Sequence, residues 1–267
     1  MRLALALTVL TSPAIAQTCG GPLPAFLNGI RAEAASMGLD PAATETVLRG
    51  AAIDPAVLKA DRSQGVFQKD FISFSRALIS QNRIDNGRNF GNRYDATFAQ
   101  IEREYGIPRG VLLAFWAFET DYGTFQGDFN TANALITLAH DCRRPDLFRP
   151  QIFSALELFE QGDFDPARTT GAWAGEIGMV QMLPADILEN GMDGDGDGHV
   201  RLKTSAADAL LSGGKMLSSL GWRKGEPWLQ EVTLPTSFDW SKSGLNHTAK
   251  GSEGGARGGA AREGRPG

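Results

Sequence analysis

The sequence predicts a mainly α-helical protein, and three features carry that expectation. Apolar residues recur at helical spacing from Pro24 to about Ile84, as in Phe26, Ile30, Ala34 and Met37, or Phe71, Phe74, Leu78 and Ile79. Pro41 and Pro55 stand where new helices would begin and Gly38 where one would end, the usual proline-first, glycine-last asymmetry. Alternating strand patterns are almost absent, and there is no internal repeat.

The elements follow in order. The two apolar series imply helices that each pack one face. After Tyr105 and Gly106, Pro108 occupies a first helical position, and the chain then runs through Val111, Leu112, Leu113, Ala114, Phe115, Trp116, Ala117 and Phe118 to Glu119. Apolar on nearly all sides, this helix is expected to be buried. Further helices are expected at Pro150 to Gln161, Leu183 to Asn190 and Ser205 to Leu220. After Trp240 the composition shifts to Gly, Ala, Arg and Glu, and from Gly251 onward no hydrophobic periodicity remains, which predicts a disordered tail.

With 267 residues, 42% hydrophobic and 21% charged, the chain has material for one large domain or two small ones and a sizeable core. A net charge of -5 offers no electrostatic reason to bind nucleic acid or anionic lipid. Met1-Arg2, an apolar run from Leu3 to Leu10, and Ala14 and Ala16 at small-x-small positions read as a secretory signal peptide over residues 1–16. The run falls short of the ~20 residues that span a bilayer, so no stable membrane anchor is expected. Residues 17–240 form the functional region and 241–267 the tail.

An oxidising compartment would let Cys19 and Cys142, the only cysteines, form a disulfide. The alternative is two free thiols, one of them a lipidated anchor. Gln17 and Thr18, between the cleavage site and Cys19, argue against lipidation.

Glu119 stands out chemically. At about 100° per residue it falls on the helix face between Phe115 and Leu112, inside the apolar stripe. Desolvation raises the pKa of a carboxyl there, as does the negative end of the helix dipole if the helix stops at Tyr122-Gly123. Both favour a protonated acid near neutral pH, which a glycosidase-type general acid requires. A buried Glu held by one salt bridge or a cap is an equal reading of the helix alone. A second stretch, Gly171 to Pro184 (GAWAGEIGMVQMLP), combines three glycines that permit close backbone approach with Gln181, whose amide can bond sugar hydroxyl or acetamido groups.

Ala117 to Gly123 (AFETDYG) and Ala174 to Pro184 (AGEIGMVQMLP) together resemble the two signature segments of the lytic transglycosylase B family, and the likeness runs in order over roughly residues 24–240. The resemblance implies a lysozyme-like catalytic domain with additional N-terminal helices, acting in the periplasm on peptidoglycan. It implies cleavage of the β-1,4 bond between N-acetylmuramic acid and N-acetylglucosamine without water, leaving 1,6-anhydromuramoyl ends. Glu119 would serve both steps, where a hydrolase ordinarily needs a second carboxylate. Gln181 would line the cleft beside the cleaved sugar, and Tyr122 and Trp173 would shape it, although core packing explains those two rings as well. Glu176 stands where many relatives carry Ala and reads as a second cleft carboxylate or a solvated charge, the cleft being the expectation. Ala172 stands where relatives often have Ser, which removes one hydrogen bond that would support Glu119.

Asp193, Asp195 and Asp197, with Gly198, His199 and Val200, match the first eight positions of an EF-hand calcium loop, His199 supplying a backbone carbonyl. Thr204 replaces the bidentate Glu at position 12, so a structural Ca²⁺ of modest affinity, or Na⁺, is expected. No cofactor is expected for catalysis. The loop also supports another class of function, a non-catalytic calcium-dependent peptidoglycan-binding module. In favour of that class, relatives continue past this point and contribute a Tyr-Asn pair to the site, whereas Tyr94, Tyr105 and Tyr122 are the only tyrosines here and none precedes Asn. A frameshift or truncation accounts for such a tail. A monomer is expected.

Overall fold

The computed structural model describes residues 19–63, 70–227, 232–242 and 260–261. The expected signal peptide and most of the expected tail lie outside these residues. Among the described residues eleven helices build the unit that ends at Trp222, and a second unit begins at Arg223. Helix α1 spans Leu23–Ser36, and α2 (Pro41–Leu48) and α3 (Pro55–Arg62) start as the prolines predict. Asp40 and Asp54 cap α2 and α3 by accepting from two backbone N–H groups each, which satisfies donors that the first helical turn leaves open.

Two apolar clusters form the interior. The larger surrounds the antiparallel pair α8 (Thr131–His140) and α9 (Pro145–Gln161), with Phe26 and Ile30 of α1, Leu135 and Ile136 of α8, Leu156 of α9, and Met182. The smaller joins α6 (Asp95–Tyr105), α7 (Arg109–Thr120) and α11 (Ala206–Ser219) through Phe98, Ile101, Leu112, Trp116 and Leu210. Helix α5 (Gln81–Arg93) packs on α7 with Phe90 against Trp116, ring centroids 4.9 Å apart. Helix α10 (Pro184–Asn190) follows the Gln181 segment. The only sheet of this unit among the described residues pairs β1 (Phe129–Asn130) with β2 (Thr170–Gly171), which brings the segment after α7 beside the glycine-rich stretch. The Cys19–Cys142 disulfide forms, joining the residues before α1 to the turn between α8 and α9.

Several expectations change. Phe26, Ile30 and Ala34 are buried as predicted, but Met37 is exposed, and α4 (Phe71–Leu78) buries none of its apolar residues. The helix carrying Glu119 is not buried on nearly all sides: Leu112, Trp116, Ala117 and Thr120 are buried, while Ala114 and Phe118 face solvent. Its neighbours cover one face only. Pro150 lies inside α9 because Pro145 already holds the first-turn place. In the unit beginning at Arg223, β3 (Val232–Thr233) pairs antiparallel with β4 (Ala260–Ala261), so two residues of the segment expected to be disordered are in a strand.

Candidate active site

Glu119 is the penultimate residue of α7, where the helix opens to solvent. It is exposed, not enclosed in the apolar stripe, because the buried face turns through Leu112, Trp116 and Thr120 and leaves Glu119 at its edge. The protein nonetheless surrounds the carboxyl closely enough to matter. Lost solvation, with charge on Glu176 as a second cause, raises its pKa above the ordinary value. Among the described residues no group donates a hydrogen bond to its carboxylate, in keeping with Ala172 having no hydroxyl to offer.

The chain leaves α7 through an unusual turn. Asp121, Tyr122 and Gly123 all take left-handed φ angles of 49°, 59° and 86°. For the two non-glycine residues such a conformation costs roughly 1–2 kcal/mol each, and several bonds hold it. Thr120 Oγ1 donates to the Met179 carbonyl at 2.6 Å and accepts from Gly123 N at 2.9 Å. Arg83 of α5 donates to Asp121 at 2.8 Å, and the Tyr122 hydroxyl donates to the Arg83 carbonyl at 2.8 Å. The Tyr122 ring packs against Phe90 and Trp116.

The bond from Thr120 to Met179 joins the end of α7 to the glycine-rich stretch. That stretch folds back on itself: Ala172 N donates to the Glu176 carbonyl, and Ile177 and Met182 form an isolated bridge. Gly178 is required where it is, since a Cβ there would lie 2.6 Å from the Leu202 backbone. Gln181 has a left-handed φ of 49°, and its Nε2 donates to the Gly178 carbonyl at 2.7 Å and the Gln126 carbonyl at 3.4 Å. Both bonds use the amide nitrogen, leaving Oε1 as an acceptor for a ligand. Glu176 is partly buried, and desolvation raises its pKa against the lowering influence of backbone N–H groups and Arg144. Trp173 packs on the α8–α9 core with the Arg144 guanidinium 5.9 Å from its ring centroid.

The acidic loop is folded as its spacing predicts. Asp193, Asp195 and Asp197 are exposed, and one carboxylate oxygen from each lies within 4.8 Å of the others. Asp193 accepts from the N–H groups of Gly196, Asp197 and Gly198, which shapes the loop around its own first residue. The His199 ring turns away to Asp163 at 2.7 Å, so only its carbonyl can serve the loop, as expected. Thr204 is exposed, with its N–H on the Arg201 carbonyl.

Sequence reasoning missed three residues that shape these regions. Asp208, fully buried in α11, accepts from Gly194 N, Arg201 N and the Ser205 hydroxyl and so braces both ends of the acidic loop. Gln126 donates to the Gly123 and Lys203 carbonyls and its own carbonyl accepts from Gln181, linking the α7 exit to the turn after the acidic loop. Arg83 holds the exit turn. Asp208 had a local signal, three residues after the capping Ser205; the links that Gln126 makes to Lys203 and Gln181, and Arg83 to Asp121 and Tyr122, cross long sequence separations and had none.

Comparison with known proteins places this arrangement among relatives. Residues 23–266 match the sequence family described as the transglycosylase SLT domain. Membrane-bound lytic murein transglycosylase B of Escherichia coli is 27% identical over 157 residues, covering 58% of this chain and 43% of its own. The structure of SltB3 from Pseudomonas aeruginosa, in complex with NAG-anhNAM-pentapeptide, superposes with a TM-score of 0.82 at 30% identity, covering 92% of this chain and 66% of that one. The Escherichia coli lytic transglycosylase SLT35 in complex with calcium shares the fold, with a TM-score of 0.76 at 22% identity over 95% of this chain and 82% of that one. The chain thus spans under half the length of the curated relative and about two thirds of SltB3.

Proposed function

The chain belongs to the transglycosylase SLT domain family, with that family's mainly helical, lysozyme-like fold, and on that premise we propose that it is a peptidoglycan lytic transglycosylase with Glu119 as its single acid/base. The carrying observation is a carboxyl of raised pKa at the open end of α7, bonded through the next residue to the segment that bears Gln181. A raised pKa keeps the acid protonated at a pH where an ordinary Glu has lost its proton.

Glu119 gives its proton to the oxygen between N-acetylmuramic acid and N-acetylglucosamine as that bond breaks, and the muramoyl acetamido group supports the positive charge developing at C1. The carboxylate then takes the proton of the muramoyl 6-hydroxyl while its oxygen bonds to C1. The ring closes, and Glu119 is again protonated. Gln181 offers Oε1 to the sugar, Trp173 and Glu176 line the cleft, and Tyr122 contributes shape, since its hydroxyl is taken by Arg83. The anhydro sugar bound to SltB3 is the kind of product this sequence of steps leaves.

The three loop aspartates fit a hard cation that takes oxygen ligands, and the calcium in SLT35 supports this reading. Asp193, Asp195 and Asp197, with the His199 carbonyl and Thr204, would hold a structural Ca²⁺ or Na⁺ that braces the loop and takes no part in the chemistry. Export to the periplasm is supported by the disulfide and by the signal-like residues 1–16. Among the described residues no helix is long and apolar enough to cross a membrane. The partner is the glycan strand, met by a monomer.

Digestion of purified peptidoglycan followed by mass spectrometry tests the reaction. Anhydromuramoyl ends are expected, and Glu119→Gln should lower their formation by about 10²–10⁴-fold without altering the fold. Reducing ends would mean hydrolysis. No products at all would favour the calcium-dependent binding module, a reading that the acidic loop also supports. For the loop, chelation should lower the melting temperature and added Ca²⁺ restore it; at 100 times the Kd the ion would stabilise by about 2.7 kcal/mol. An unchanged melting temperature would remove the metal from the account.

A further inference from the structure

The geometry points to Arg83 as a positioning residue that holds Glu119 in place by gripping the turn immediately after it, an inference that rests on the transglycosylase reading. Arg83 makes two bonds to that turn and one to the end of α4. Its Nε donates to Asp121 Oδ1 at 2.8 Å, its Nη1 donates to the Leu78 carbonyl at 2.9 Å, and its own carbonyl accepts from the Tyr122 hydroxyl at 2.8 Å. Asp121 and Tyr122 are two of the three non-glycine residues with positive φ among the described residues, and they are consecutive. Such a pair persists only where the surroundings over-determine it, and Arg83 touches both members.

The site is built to admit this grip. Gly87, one turn along α5, leaves room for the Tyr122 hydroxyl; a Cβ there would lie 2.7 Å from that oxygen. The ion pair is sheltered, with the Arg83 and Asp121 side chains 25% and 23% exposed, so solvent screens it less than an ordinary surface pair. The Gln181 segment reaches α7 by a separate route, through Thr120 and Met179. Removing the Arg83 side chain therefore frees Asp121 while the bond joining α7 to the Gln181 segment stays in place. With Asp121 free to leave the left-handed region, the last turn of α7 loosens and the Glu119 carboxyl moves relative to the bond it must protonate. Misplacing a reacting group by about 1 Å can cost about 10²-fold in rate.

Steady-state cleavage of isolated glycan strands tests the role. Arg83→Met should lower kcat about 10–100-fold with KM within about twofold, because the error lies in orientation rather than in substrate binding. Arg83→Lys, which keeps the charge but loses the forked donor geometry, should recover part of that loss. Combined with Glu119→Gln, Arg83→Met should leave strand affinity as it is in Glu119→Gln alone. Unchanged kcat, or affinity falling as far as kcat, overturns the positioning role. If Arg83→Met fails to fold, Asp121→Ala decides in its place: it removes the carboxylate that the Arg83 side chain grips, and a kcat equal to wild type sinks the idea. A wild-type chain that yields no cleavage products would bring down the transglycosylase reading and this proposal together, whereas an active wild type indifferent to Arg83→Met brings down the proposal alone.

Discussion

Helices α8 and α4 carry comparably apolar sequences, TANALITLAH and FISFSRAL, yet from Thr131 to Ala139 every residue of α8 except Asn133 is buried, and α4 buries none. The difference lies in what surrounds them. Helix α8 is met by α9, by α3, by β1 and by the glycine-rich stretch, where Gly175 leaves room for Leu135; a Cβ at Gly175 would lie 2.4 Å from a Leu135 methyl. Helix α4 precedes an open groove of about 610 Å³ that Leu78, Ile79, Ile84, Leu113 and Phe118 line between α5 and α7. An amphipathic pattern specifies that a helix has an apolar face. It does not specify that anything covers it.

Stability measurements should separate the two helices, and the largest effect belongs to α8. Leu135→Ala empties a fully buried site beneath Gly175 and should cost about 2–5 kcal/mol in urea unfolding. A cost below ~1 kcal/mol would mean that the α8 surroundings are looser than the packing implies.

The disulfide pins the end of the same helix, since Cys142 lies two residues past His140, the last residue of α8. Cys142→Ser should cost about 2–4 kcal/mol, with the same loss on reducing the wild type. A reductant-insensitive wild type would show that the packed core alone fixes this corner.

A subtler effect is expected at Glu176, which follows Gly175 directly. Its charge helps raise the pKa of Glu119, so Glu176→Gln should lower that pKa and move the basic limb of the kcat/KM profile to lower pH. The stability sign also follows. Both carboxyls have folded-state pKa values raised above the ordinary 4.5, so their contribution is present below that value and lost as pH rises through the raised ones. Relative to wild type, Glu176→Gln should therefore be more stable at neutral pH than in acid. A basic limb that stays put would mean that the two carboxyls do not sense each other.

The smallest effect is expected from Phe71→Ala on α4, where the side chain is 75% exposed. It should change stability by no more than about 0.5 kcal/mol. A larger loss would show that this face is covered in solution and would narrow the contrast with α8.

Much of the site was legible in the chain because its signals are local. Glu119 ending an apolar run, Gln181 among glycines, and aspartates at alternate positions are each contained in a dozen residues or fewer. The environment of Glu119 was misjudged: helical periodicity placed it inside the apolar stripe, but the buried face is set by which neighbours approach α7, and none covers the side where Ala114 and Phe118 lie. Tyr122 is open to two readings in the sequence, shaping the cleft or packing the core; its hydroxyl meets Arg83, a partner beyond two intervening helices that the sequence does not bring to mind.

The sequence by itself determined where α2 and α3 start, which carboxyl stands out as the candidate acid, and how the acidic loop turns, because prolines, caps and close spacings act within a turn or two. Tertiary structure alone decided which apolar helix is buried, that Cys19 and Cys142 meet, and that Arg83 braces the turn after Glu119. Those outcomes depend on contacts between residues far apart in the chain, whose free energy exists only once the intervening helices have packed.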